Sequence, residues 1–129
     1  MQHCADGKEP AGPHGAVFVR RVFGPAEQAA LGLPLAEEEG TARRTAHTVA
    51  SAAADFAAKE AFLKAAGTGL REPFSLCEIE AVRLPGGAPA YRFSGRSAKW
   101  VEARRLRAHL SLSHEDGMAM AYCILETET

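Results

Sequence analysis

The sequence contains no C-x-x-C pair, no apolar run long enough to cross a bilayer, and almost no net charge. Its three cysteines, Cys4, Cys77 and Cys123, are odd in number and widely spaced. That pattern argues against a zinc site and against a disulfide framework. Cys77 and Cys123 fall within strand-like apolar runs, so buried free thiols are expected. The start lacks the basic-then-apolar order of a signal peptide. A reducing cytoplasm is the expected location, with no membrane contact. A net charge of −1 gives no general pull toward nucleic acid or anionic lipid. No G-x-S-x-G elbow, Walker loop or Cys/His cluster appears, which removes the commonest sequence-readable nucleophile, phosphate-loop and zinc sites.

What is present is a chain of 129 residues, the size of one domain with a modest core. Alanine is in excess, and the charge is unevenly placed. Arg96, Lys99, Arg104, Arg105 and Arg107 face only Glu102, whereas Glu37, Glu38 and Glu39 form an acidic run. The basic group reads most simply as a solvated helix face, with docking of an anionic partner as the other reading.

Residues 1–15 carry glycine and proline without apolar periodicity and are expected to be irregular; residues 16–129 form the single domain. AVFVRRVF (16–23) fits a helix or a strand. Pro25 suits a first helical position, and the helix it opens should close at Gly32. From Thr41 an alanine-rich stretch predicts the longest helix, closed by Gly67 as a left-handed residue. Its apolar stripe, expected to be buried, is Val49, Ala52, Ala53, Phe56, Leu63 and Ala66. SLCEIEAVRL, the turn PGGAP and AYRFSG predict a hairpin. RSAKWVEARRLR predicts a helix anchored by Trp100. HLSLSH and MAMAYCILE around EDG predict a second hairpin, with Leu110 and Leu112 inward and Ser111 and Ser113 outward. The order is that of an α+β fold with an antiparallel sheet and a long central helix.

Glu60 and Lys64 lie four residues apart and so share a helix face. Such a pair is commonly a surface ion pair, and Gly67-Thr68-Gly69 after it is commonly a cap. The alternative is a metal and phosphate site at the helix end, with backbone N–H groups cradling the anion. His114 ends the strand LSLSH. His109 begins it, and the five-residue offset puts the two on opposite faces, which excludes a metal pair on that strand.

In combination these segments are more specific. F-A-A-K-E-A-F-x-K-A-x-G-T-G, a hairpin bearing G-G-x-P, and H-x-S-L-S-H near the C-terminus resemble the bacterial holo-acyl-carrier-protein synthases, small phosphopantetheinyl transferases. F-V-R-R-V-F-G-P-A-E (18–27) is similar to the segment after the first helix of that family, and the resemblance spans about Phe18 to Glu126. It implies transfer of 4′-phosphopantetheine from coenzyme A to a serine of acyl carrier protein, a step serving fatty acid biosynthesis. It also implies Mg2+ as cofactor and a homotrimer with coenzyme A between subunits. Glu60 then matches a magnesium ligand, and Lys64 a lysine near the coenzyme A phosphates. Lys59 matches a basic position beside the metal ligand, here also assigned to coenzyme A. Gly67, Thr68 and Gly69 match the loop lining the coenzyme A cleft, Pro89 the hairpin proline, and His114 the histidine closing the nucleotide pocket. Arg20 and Arg21 lie where the family presents basic residues to the carrier protein.

Two departures accompany the resemblance. The family strand G-x-D-x-x-x-I, whose aspartate is the second magnesium ligand, has no counterpart ahead of Phe18; Asp6 is the nearest acid there. Asp55 stands where the family usually has arginine. A truncated or impaired relative, binding coenzyme A or carrier protein without efficient transfer, is therefore the alternative expectation. An interaction module built on residues 96–107 is a third.

Overall fold

A computed structural model describes residues 19–32 and 42–128, with side chains in the long helix from residue 46 onward. The expected irregular segment 1–15 and the residue Asp6 lie outside the described residues. Residues 19–22 are helical, with the Phe23 N–H donating to the Val19 carbonyl at 2.8 Å, so the described part of the ambiguous AVFVRRVF segment resolves toward helix. Next come α1 (Pro25–Leu31), α2 (Ala42–Ala66), a single 3-10 turn (Leu76–Glu78), β1 (Ile79–Arg83), β2 (Pro89–Phe93), α3 (Gly95–Ala103), β3 (Leu106–Glu115) and β4 (Met118–Thr127). β1 pairs with β2 and β3 with β4, both antiparallel, as two separate ladders. The α+β reading holds, with two hairpins rather than one continuous sheet among the described residues.

The punctuation residues do what their chemistry requires. Pro25 opens α1 and Gly32 closes it at φ 70°. Gly67 leaves α2 at φ 78°, where a side chain would clash with its own backbone. The β3–β4 hairpin turns through Asp116 (φ 49°) and Gly117 (φ 76°), the double positive φ of a two-residue turn matched to strand twist. Gly24 is fixed by contact instead: a Cβ there would lie 2.4 Å from the Cys77 carbonyl oxygen and from the Glu80 carboxyl carbon.

The core gathers on Phe62 of α2, which is fully buried. Its ring lies 4.9 Å from Phe93, 5.5 Å from Phe74, 5.8 Å from Tyr91 and 6.5 Å from Trp100. In this aromatic-poor chain, five rings thus form one cluster joining α2 to the first hairpin and α3. Val22, Phe23, Leu63, Leu76, Ile79 and Val101 complete it. The inward face of the second hairpin, Leu106, Leu125 and Cys123 among it, packs alongside.

Three expectations need correction. The buried face of α2 is not the predicted stripe: Val49 is 59% and Phe56 38% exposed, while Ala54, Asp55, Ala58, Lys59, Phe62 and Leu63 are buried. Two charged residues belong to the inward face, and a search for apolar periodicity turns them outward. The helix expected over 96–107 stops at Ala103, because Arg105 takes φ 52° and Leu106 begins β3. The basic residues are therefore split among helix, turn and strand, and no single basic helix face exists. Cys77 is buried and disulfide-bonded, so the free-thiol expectation holds for Cys123 alone.

Asp55 is an acid in an expensive place. It is 4% exposed, its Oδ1 has no hydrogen-bond partner among the described residues, and the Arg83 guanidinium stands 3.5 Å away. Burial raises its pKa above the usual carboxylate value against the pull of Arg83 and Lys59.

Phe62→Ala should lower the unfolding free energy by about 3–5 kcal/mol, the range for emptying a buried aromatic site, as read by urea denaturation. Asp55→Asn should do the opposite at neutral pH. A raised folded-state pKa contributes stability below the unfolded value of 3.8, and that contribution is lost as pH rises through the folded value. The asparagine variant should therefore melt higher than the parent at pH 7, with the gap closing toward pH 3. A variant less stable than the parent at pH 7 would show that the Arg83 pairing outweighs the burial.

Candidate active site

The middle of α2 carries two kinds of charge on adjacent faces. Lys59 is fully buried. Its ammonium donates to Glu27 Oε1 at 2.5 Å, to the Ile79 carbonyl at 2.6 Å and to the Leu76 carbonyl at 3.0 Å, which uses all three of its donors. Glu27, itself buried, accepts from the Gly24 N–H at 3.1 Å and the Ala81 N–H at 2.9 Å. The Glu27 N–H donates to Glu80 Oε2 at 2.9 Å. Burial pushes the Glu27 carboxyl up to about 7 against the lowering effect of Lys59, and burial likewise lowers the Lys59 ammonium against Glu27. Lys59 was expected to touch coenzyme A. It has no exposed atom to do so, and its hydrogen bonds are spent on α1 and on the entry to β1.

Glu60 and Lys64 face the other way. Both are exposed, and among the described residues neither takes part in an ion pair, with each other or with any neighbour. The simple surface pair is thus not formed. They line an open cleft of about 590 Å³ whose opposite wall is β4, through Ala121, Tyr122 and Cys123. The Tyr91 hydroxyl braces α2 just before them, donating to the Ala58 carbonyl at 2.5 Å.

The loop after α2 does not present a nest of amides. The N–H groups of Gly67, Thr68 and Gly69 all point back to the Leu63 carbonyl, at 3.1, 3.3 and 3.4 Å. The Thr68 hydroxyl donates to the Gly69 carbonyl at 2.9 Å. What the two glycines offer a ligand is room: nothing lies within 4 Å of a Cβ built on either. Pro89 opens β2 opposite Arg83, half-buried, and His114 stands exposed opposite Ala119 near the tip of the second hairpin. Neither lines the cleft of Glu60 and Lys64. A second open cleft, of about 510 Å³, lies between α1, α2 and the first hairpin, with Asp55, Arg83 and Arg92 in its wall.

No cluster of three or more His, Cys, Asp or Glu able to hold a metal occurs among the described residues. A lone exposed carboxylate still fits Mg2+, which binds through one or two carboxylates completed by substrate phosphates and water. Sequence reasoning missed Glu27 and Glu80. The signal for Glu27 was its place three residues after Gly24 at a helix start, where an acid reaches back to an orphan N–H. Glu80 gave none beyond being an acid in an apolar run.

The chain matches the family model described as the 4′-phosphopantetheinyl transferase superfamily over residues 1–123. It is 40% identical over 114 residues to a holo-[acyl-carrier-protein] synthase of Bordetella pertussis, covering 88% of this chain and 70% of that one. The crystal structure of the holo-[acyl-carrier-protein] synthase from Neisseria meningitidis superposes with a TM-score of 0.71 at 31% identity, covering 88% and 83% of the two chains. A Bacillus anthracis holo-(acyl-carrier-protein) synthase in complex with CoA (3′,5′-ADP) gives a TM-score of 0.65 at 27% identity, over 86% and 81%. By sequence and by fold, the chain belongs to the 4′-phosphopantetheinyl transferase superfamily.

Proposed function

We propose that the protein is a holo-acyl-carrier-protein synthase, moving 4′-phosphopantetheine from coenzyme A to a serine of apo-acyl carrier protein. One observation carries the assignment of the site: Glu60 and Lys64, one turn apart in a member of this family, stand exposed and unpaired in the same open cleft. The serine oxygen attacks the phosphorus that bears pantetheine, the pyrophosphate P–O bond breaks, and adenosine 3′,5′-bisphosphate leaves with the electron pair while the serine proton passes to a base. Such a reaction needs positioning and charge neutralisation more than covalent help. Lys64 pairs with a pyrophosphate oxygen as charge builds on the leaving group. Glu60 would hold Mg2+, whose role when bound is to neutralise phosphate oxygens. The widened Gly67-Thr68-Gly69 exit gives the chain of the coenzyme a path past the helix end.

Coenzyme A also contacts Pro89 and His114 in this reading. Because neither lies in the Glu60–Lys64 cleft of the same chain, the reading includes a homotrimer in which a neighbouring copy supplies them. The outer face of β4 supports self-association: Met118, Tyr122 and Ile124 are 66%, 62% and 65% exposed. No helix among the described residues is long and apolar enough to cross a membrane; the role in this reading is a cytoplasmic one in fatty acid biosynthesis. The acidic carrier protein docks on the helical turn that holds Arg20 and Arg21. Arg21 is exposed, whereas Arg20 is half-buried with one guanidinium nitrogen lacking a hydrogen bond among the described residues.

Incubation with coenzyme A, Mg2+ and apo-carrier protein should give the phosphopantetheine mass increment on the carrier. Glu60→Gln, which keeps volume and helix position, should lower the rate at least roughly 100-fold, the scale of losing one preorganised charge-stabilising group, with an unchanged circular dichroism spectrum. Full activity in that variant would remove Glu60 from the site. Arg21→Glu should weaken carrier binding much more than coenzyme A binding, and the loss should shrink at high salt. Equal weakening of both ligands would instead indicate damage to the fold.

A further inference from the structure

Lys59 adjoins Glu60 in sequence yet is shut away from the cleft. On a helix each residue is turned about 100° from the last, so a side chain pinned at position 59 dictates where positions 60 and 64 point. Ala54, Ala58, Phe62 and Leu63 choose the inward face of α2, but apolar contact fixes its rotation less sharply. Hydrogen bonds are directional. The Lys59 ammonium reaches two backbone carbonyls fixed at the start of β1 and one oxygen of Glu27. Glu27 in turn is tied to Gly24 and Ala81, and Glu80 holds the Glu27 N–H.

We propose that Glu27, Lys59 and Glu80 are positioning residues for the transfer, a buried clamp that sets the rotation of α2 and so aims Glu60 and Lys64 into the cleft against β4. The kinetic part of this inference rests on the transferase reading; the geometric part does not.

The test combines Lys59→Met with Glu27→Gln, which removes both charges with little change of volume. Three quantities are read: the thermal midpoint, kcat and KM for coenzyme A, and a cross-linking rate. For the last, Ala61→Cys is introduced into parent and variant alike, and a short bifunctional thiol reagent joins the new thiol to Cys123 across the cleft that both positions line. The expected result is a folded double variant whose KM stays near the parental value while kcat falls roughly 10- to 100-fold, the usual scale for a misplacement of about 1 Å, and whose cross-linking slows. A folded double variant with parental kcat and parental cross-linking overturns the proposal. Should the parent transfer nothing, the functional reading fails, and the cross-linking rate alone decides whether the clamp aims the helix. Should the double variant not fold, Glu80→Met is used instead, which removes the acceptor of the Glu27 N–H but keeps the Lys59–Glu27 ion pair. A lower kcat and slower cross-linking at an unchanged thermal midpoint support the clamp; a lower midpoint with both unchanged overturns it.

Discussion

A buried ammonium is the constraint around which this molecule is arranged. Taking the Lys59 charge out of water costs several kcal/mol before any partner is found. The fold answers with a carboxylate from α1 and two carbonyls from the entry to β1. To supply the carboxylate, α1 must begin where it does, with Glu27 in its first turn and Gly24 free of a side chain that would strike the Cys77 carbonyl and Glu80. To supply the carbonyls, the chain must pass through the 3-10 turn before β1. Removing one partner would strand a charge at a cost of about 3–5 kcal/mol. The cluster therefore contributes more to defining one arrangement than to net stability.

The neighbouring face of the same helix is left electrically unfinished. Lys64 lies in the last turn of α2, where a cation is favoured by the partial negative charge of the helix end. That end is also a poor place for an anion to meet backbone groups, since its free groups are carbonyls and the loop amides are already turned inward to Leu63. Phosphate recognition in the proposed reading then falls on side-chain charge and on a bound cation. This explains why an exposed acid and an exposed base can both be required in one cleft: one recruits the cation, and the other pairs with the phosphate directly.

Legibility in the sequence followed the kind of force involved. Glycine, proline and alternation act locally, and the helix starting at Pro25, the stop at Gly67 and both hairpins could be read from them. The rotation of α2 could not. Asp55 and Lys59 face inward because of partners far along the chain, Arg83 in one case and Glu27, 32 residues away, in the other. Polarity patterns assign such residues to water, and so Val49 and Phe56 were placed inside in their stead. The end of α3 was misjudged for a related reason: Arg104 and Arg105 are good helix formers, but the need to start β3 at Leu106 overrides them, and Arg104 folds back over the Trp100 ring at 4.0 Å. Of the candidate site, the residue types and their spacing were readable. That Lys59 turns away from the cleft was not, because it depends on long-range bonding.

The second hairpin poses the remaining physical question. Its inner face, Ala119, Ala121, Cys123 and Leu125 on β4, is half-buried, while Met118, Met120, Tyr122 and Ile124 alternate with them on the outer face in water. Across the ladder these outer residues oppose Glu115, Ser113, Ser111 and His109, so the apolar stripe is confined to one strand and ends at Glu126, which His109 meets at 2.8 Å. A narrow apolar stripe with a polar border suits the edge of a contact better than a solvated surface. The same strand walls the Glu60–Lys64 cleft through Tyr122. A copy seated on the outer face of β4 would thus change the cleft it adjoins, narrowing its mouth and excluding water from the charges inside. In the proposed reading, self-association and chemistry are thus coupled through that one strand.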